Sequence, residues 1–133
     1  KNILYVANIG DSRLYIVNDR INQITKDHSL VEEMVRCGKI DKNEAKVHPN
    51  KNIITKALGV DSTVEPDYFE VDIKTGDIVL MCSDGLTNML EDSEIINIIH
   101  EFEDNIETTA RHLVSEANRH GGKDNIGVVL VKL

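Results

Sequence analysis

The sequence has few of the residues that stabilise secreted or membrane proteins. It contains no tryptophan and only two cysteines, and aromatic residues make up 4% of its 133 residues. Cys37 and Cys82 lack a CxxC spacing and fit a reducing compartment better than a disulfide framework. No apolar run approaches the roughly 18 residues that span a membrane as a helix. We therefore expect a cytoplasmic protein without a membrane segment.

Positive charge is also scarce. The chain has 15 lysines and arginines against 23 aspartates and glutamates, which gives a formal net charge of -8. A protein that follows a nucleic-acid backbone needs clustered positive charge, so we expect no nucleic-acid partner. A chain of this length fits one compact domain, which buries about two-thirds of its unfolded surface.

Alternating apolar residues bounded by turn formers predict most of the strands. These segments are residues 3–9, 13–18, 21–25, 52–58, 68–73, 78–82 and 126–133. The first three are joined by short turns and predict an antiparallel meander. The run from Ile78 to Cys82 is apolar throughout and predicts a strand that is buried on both faces.

Capping signals and helical periodicity predict four helices. Their residues are 29–38, 41–48, 92–102 and 106–120. Ser29 and Asp41 each stand three residues before a glutamate, which is typical of a capping box, and Asp92 or Ser93 is the expected cap of the third helix. Strands that come first and helices that are grouped later predict an α+β fold, with helices packed on one face of a sheet.

Three aspartates stand at predicted strand ends beside glycine or a small polar residue. Asp11 follows the first strand, Asp84 follows the buried run, and Asp124 precedes the last strand. If these strands are neighbours, their carboxylates converge and repel one another unless a cation neutralises them. Oxygen ligands without histidine or cysteine spacing suit Mg²⁺ or Mn²⁺ rather than Zn²⁺. Each aspartate alone is more readily explained as a turn former, but the combination predicts a metal site.

Five strings then resemble one known family in their order and approximate spacing. They are "ANIGDSRLYI", "ITKDHS", "NIITKALG", "VLMCSDGLTNML" and "GGKDNIGVVLV". The family is that of the metal-dependent PPM/PP2C protein serine/threonine phosphatases, and the bacterial members are the most similar. The resemblance spans nearly the whole chain and implies a PP2C-like β-sandwich flanked by helices.

The resemblance also implies a chemistry. In this family Mn²⁺ or Mg²⁺ ions, two or three in the complete domain, lie at the sheet ends, and a metal-bridging water attacks phosphoserine or phosphothreonine on protein substrates. By position, Asp84 and Asp124 resemble ligands of the catalytic metal pair, and Asp11 resembles a ligand of a third, weaker metal. Asn125 resembles a neighbour that orients Asp124 rather than binding metal. The implied counterpart is a serine/threonine protein kinase.

The sequence also departs from the family pattern. Family members carry an upstream arginine that holds the substrate phosphate and an Asp-Gly motif whose carboxylate bridges both metals, whereas the one Asp-Gly pair here is Asp84 with Gly85. We therefore expect residues 1–133 to be a single partial domain, the C-terminal part of the fold, with little activity of its own. Residues 29–50 correspond to the family's flap, although a plain surface excursion explains them equally well.

A different class of function stays open beside the enzyme. A non-catalytic PP2C-like regulatory or protein-binding module would keep the same fold without turnover.

Several other polar residues are interpreted as structural. His28 matches a family string and is expected to cap a loop rather than to transfer protons. Ser12 and Ser83 have no base in a triad motif, which argues against a nucleophilic hydrolase. Arg13 and Lys56 lie near the family strings and are also expected to be structural.

A partial domain leaves sheet edges and apolar surface open, and such edges pair with other chains. We therefore predict that the 133-residue chain self-associates or exchanges strands. Sedimentation velocity over a range of concentrations measures this directly, and a single monomeric species at all concentrations would contradict the prediction.

Overall fold

The computed structural model describes residues 2–102 and 104–133, and within these ranges it contains six strands and five helices. The strands are β1 (Asn2–Asn8), β2 (Arg13–Val17), β3 (Ile21–Gln23), β4 (Asp67–Ile73), β5 (Ile78–Cys82) and β6 (Val128–Lys132). The helices are α1 (Leu30–Arg36), α2 (Lys42–Val47), α3 (Asp84–Thr87), α4 (Asp92–Phe102) and α5 (Ile106–Arg119).

The strands form two antiparallel sheets. One sheet has the order β3-β2-β5-β6, and the other consists of β1 and β4. The α+β class predicted from the sequence is confirmed.

Strand β5 lies at the centre of the packing because both of its faces are covered. Leu80 is fully buried in a cluster with Ile99 of α4 and Leu113 of α5, whereas Val79 packs in a second cluster with partly buried residues of β1 and β4. Burying a side chain of this size contributes about 1.5–3 kcal/mol to folding. The burial predicted for this run is confirmed except at Met81, which is 39% exposed.

The predicted meander is wrong in its first strand. β2 and β3 form the expected hairpin, but β1 pairs with β4 along its whole length. The reason is that Leu4 and Val6 of β1 pack face to face on the cluster that contains Leu14 and Ile16 of β2. The loop of residues 9–12 therefore carries the chain from one sheet to the other.

The strand predicted at residues 52–58 does not form either. The segment has one isolated bridge, between Ser29 and Ile54, and its backbone bonds run to the start of α1. Ile53, Ile54 and Leu58 are 48%, 46% and 76% exposed, so they present no face to a sheet. The segment resembles a strand only in the order of its apolar residues along the sequence.

Side-chain caps begin three of the helices. Ser29 Oγ accepts the backbone N–H of Glu32, and Asp41 and Glu44 form both bonds of a capping box. Asn105 caps α5 through its side chain. Helix α4 begins at Asp92. A cap at Asp92 or Ser93 would place the first helical residue at 93 or 94, so the helix begins earlier than predicted.

Apolar side chains stay exposed on both sheets. Met81, Val129 and Val131 are 39–52% exposed on the larger sheet, and Tyr5 and Tyr68 are 70% and 76% exposed on the smaller one. Within the described residues, no helix is both long and apolar enough to cross a bilayer.

Candidate metal centre

The strand register brings the three predicted aspartates to one end of the larger sheet. Arg13 at the start of β2 pairs with Cys82 at the end of β5, and Cys82 pairs with Val128 at the start of β6. Asp11 lies just before β2, Asp84 just after β5, and Asp124 in the loop before β6. The strands that share this end are therefore β2, β5 and β6, whereas the sequence predicted β1 in place of β2.

Backbone contacts join the Asp84 segment to the Asp124 loop. Ser83 Oγ accepts the N–H of Gly127 at 2.9 Å and donates to the carbonyl of Asn125 at 3.2 Å. A Cβ on Gly85 would lie 2.1 Å from that same carbonyl oxygen. The two segments can approach this closely only because residue 85 has no side chain.

Asp84 lies close enough to Asp11 to influence the ionisation of Asp11. Burial and then the nearby Asp84 carboxylate raise the pKa of Asp11 above its ordinary value. Among residues 2–102 and 104–133, no ion pair joins either carboxylate to a basic side chain. Two neighbouring carboxylates are a donor set that suits a hard divalent cation.

The basic residue beside this pair is already bound elsewhere. Arg13 donates from Nε and Nη2 to the two carboxylate oxygens of Asp27 at 2.9 and 2.7 Å. Its Nη1 donates to the hydroxyl of Tyr15, which is fully buried. The structural role expected for Arg13 is therefore confirmed, and its hydrogen bonds go to Asp27 and Tyr15 rather than to Asp11.

Asp124 is oriented by its own loop. Its Oδ1 accepts the backbone N–H of Asn125 at 2.7 Å, so the neighbouring residue acts through its backbone. Within the part of the chain that the structure describes, no group of three histidine, cysteine, aspartate or glutamate side chains has the arrangement of a metal site. The three-aspartate metal site stays a prediction, for which the structure provides one close pair and one neighbouring loop.

His28 is a buried structural residue, as expected. It is 7% exposed, its Nδ1 accepts the backbone N–H of Gly10 at 3.0 Å, and its Nε2 lies 2.8 Å from Asp67 Oδ2. The hydrogen bond from His28 lowers the pKa of Asp67. No signal in the sequence pointed to Asp67, because this residue begins an ordinary alternating strand and belongs to no motif.

Neither Cys82 nor Ser83 is suited to act as a nucleophile. Burial raises the pKa of the Cys82 thiol to about 12, which keeps it protonated and unreactive at neutral pH. The Ser83 hydroxyl is held between two backbone groups of the facing loop.

Comparisons with known proteins identify the family. The family model described as protein phosphatase 2C matches residues 1–126. The serine/threonine phosphatase stp of Listeria welshimeri is 45% identical over 133 residues, which are 99% of this chain and 52% of that protein. The chain belongs to the protein phosphatase 2C family.

Solved structures agree with this assignment. The serine/threonine phosphatase of S. agalactiae superposes with a TM-score of 0.94 at 40% identity, over 100% of this chain and 55% of that one. The catalytic domain of the serine/threonine protein phosphatase PstP, in complex with two manganese ions, superposes with a TM-score of 0.86 at 35% identity, over 99% of this chain and 54% of that one. The chain thus spans about half the length of the relatives that it matches.

We predict that Gly85→Ala separates the Asp84 segment from the Asp124 loop and lowers the free energy of unfolding by about 1–3 kcal/mol, because the new methyl group overlaps a backbone carbonyl. Chemical denaturation measures the change. Gly127→Ala is the matched control, since its Cβ would meet its nearest neighbour at 3.7 Å. Equal stability of the two variants would contradict the prediction.

Proposed function

We propose that this chain supplies part of the active centre of a protein serine/threonine phosphatase that uses Mn²⁺ or Mg²⁺. The observation that carries the proposal is the common position of Asp11, Asp84 and Asp124 at one end of the β2, β5 and β6 strands. The serine/threonine phosphatases among its relatives and the two manganese ions of the PstP structure support the same proposal.

The residues fit such a cation in chemistry but not in number. Asp84 and Asp124 are proposed as ligands of the catalytic metal pair, Asp11 as a ligand of a further ion, and Asn125 as the residue that orients Asp124. All three ligands offer carboxylate oxygens, which hard cations prefer. When bound, divalent cations at such a centre activate water for attack on phosphorus and neutralise the phosphoryl oxygens.

The residues of this chain have separate tasks in that proposal. Asp84 and Asp11 concentrate negative charge at one point, which attracts a cation and costs stability while none is bound. Gly85 and Ser83 keep the Asp124 loop against the Asp84 segment. The flap-like segment, residues 29–50, contacts the loop after α3 through Lys46, whose Nζ donates to Glu91 Oε2 at 2.7 Å.

The proposed substrates are phosphoserine and phosphothreonine residues of proteins, and the proposed counterpart is a serine/threonine protein kinase. We place the protein in the cytoplasm. The alternative, a non-catalytic protein-binding module of the same fold, predicts no specific response to the cation, and the first experiment below separates the two.

We predict that Asp84→Asn lowers stability only when metal is present. Without metal, the substitution relieves the repulsion on Asp11 and leaves the melting temperature unchanged or slightly higher. With Mn²⁺ at about ten times its Kd, the unsubstituted chain gains about 1.4 kcal/mol of unfolding free energy by mass action, and the variant loses this gain.

Thermal unfolding with and without millimolar Mn²⁺ measures both effects. Asp61→Asn is the control, because it removes the same charge from an exposed residue in the loop before β4. An equal response of the two variants to Mn²⁺, or no response of the unsubstituted chain, would contradict the assignment of Asp84.

We also predict that the 133 residues alone hydrolyse p-nitrophenyl phosphate at close to the uncatalysed rate, even with saturating Mn²⁺. The reason is that the described residues contain no group of three metal-binding side chains. Fewer than three ligands are too few for a dinuclear centre. The absorbance of the released p-nitrophenolate measures turnover. Steady hydrolysis that depends on Asp84 would show that these residues are sufficient.

A further inference from the structure

His28 links the loop that carries Asp11 to strand β4. Its Nδ1 lies 3.0 Å from the backbone nitrogen of Gly10, and its Nε2 lies 2.8 Å from Asp67 Oδ2. A backbone N–H can only donate, so Nδ1 is the acceptor and Nε2 carries the proton that is donated to Asp67. The bond to Asp67 therefore fixes the ring in the orientation and the tautomer in which Nδ1 can accept the backbone N–H of Gly10.

The Gly10 residue is held by His28 on both sides. Besides the side-chain bond, the backbone N–H of His28 donates to the carbonyl of Gly10 at 3.0 Å. Gly10 has a φ of +109°, a conformation that few other residues adopt, and it directly precedes Asp11. Two hydrogen bonds from one buried residue thus fix the backbone that leads into Asp11.

Both hydrogen bonds join the loop of residues 9–12 to another part of the chain. The anchoring bonds come from residues outside the loop, in the segment before α1 and at the start of β4.

We propose that His28 is a positioning residue for Asp11, and that Asp67 in turn positions His28. The proposal deepens the proposed function and rests on it, because it takes Asp11 to be a cation ligand. His28 does not touch the cation or the substrate in this proposal. It keeps Asp11 beside Asp84 so that a divalent cation meets both carboxylates without first ordering the loop.

Two substitutions of His28 separate its two bonds. His28→Asn can place an amide oxygen where Nδ1 stands and so keep an acceptor for Gly10, but it is too short to reach Asp67. His28→Gln can place an amide nitrogen near Nε2 and so keep the donor to Asp67, but it has no acceptor at the Nδ1 position. We expect His28→Gln to weaken Mn²⁺ binding at Asp11 by about three- to tenfold, the equivalent of one hydrogen bond, and His28→Asn to stay within about twofold of the unsubstituted chain.

The measurement is the broadening of the Asp11 amide signal by Mn²⁺ in two-dimensional NMR spectra of the 133-residue chain. Ile99→Val, a conservative change at a fully buried core position in α4, controls for a general loss of stability. Equal binding by the two His28 variants, or weakening in His28→Asn alone, would overturn the positioning role. Absence of broadening at Asp11 in the unsubstituted chain would instead overturn the metal assignment of Asp11, and this proposal with it.

A second pair of variants tests the same chain of contacts if His28→Gln does not fold. Asp67 is 36% exposed at its side chain, so it tolerates substitution better than His28. Asp67→Asn keeps an acceptor for Nε2, whereas Asp67→Ala leaves the ring unheld, and both remove the same charge. We expect Mn²⁺ binding at Asp11 to weaken in the alanine variant and not in the asparagine variant, and equal behaviour of the two would overturn the proposal.

Discussion

The close contact between the backbone at Gly85 and the carbonyl of Asn125 determines how the Asp84 segment and the Asp124 loop can pack together. A Cβ at position 85 would lie 2.1 Å from that oxygen, so the end of β5 and the loop before β6 can meet only at glycine. Ser83 then bonds to both Asn125 and Gly127 from the preceding position. Asp84 stands between these two contacts and is thereby kept close to the Asp124 loop, whichever ligand the site receives.

Packing elsewhere in the fold offsets the unfavourable free energy of this arrangement. Burial disfavours the charge of Asp11, and the nearby Asp84 carboxylate adds to that penalty. Against this stand the core between the larger sheet and helices α3, α4 and α5, in which Leu80 and Leu113 are fully buried, and the bonds of His28 and Arg13 on either side of Asp11. A charged site at a sheet end is typical of a binding centre whose cost is offset by packing elsewhere.

Local patterns predicted the elements of this chain well and their partners poorly. Alternation along β4 correctly indicated its half-buried face, because burial follows the two-residue period of a strand, and the apolar run of β5 correctly indicated burial at every position except Met81. The predicted partner of β1 was wrong, since periodicity indicates which face of a strand is apolar but not which strand pairs with it. The strand predicted at residues 52–58 was wrong because the composition of this segment is strand-like, whereas its backbone bonds to the start of α1.

The site was predictable to a similar extent. Asp11, Asp84 and Asp124 could be selected because charged residues beside buried strands are unusual, and the register of β2, β5 and β6 brings their segments to one end. Asp67 could not be selected, because its role depends on a histidine 39 residues away in sequence. Long-range contacts of this kind leave no local pattern.

The most direct test is a crystal structure of the whole protein grown with Mn²⁺, with the ions located by their anomalous scattering. We expect manganese bound directly to carboxylate oxygens of both Asp84 and Asp124. Manganese bound elsewhere, with these two side chains contacting only protein or water, would contradict the account.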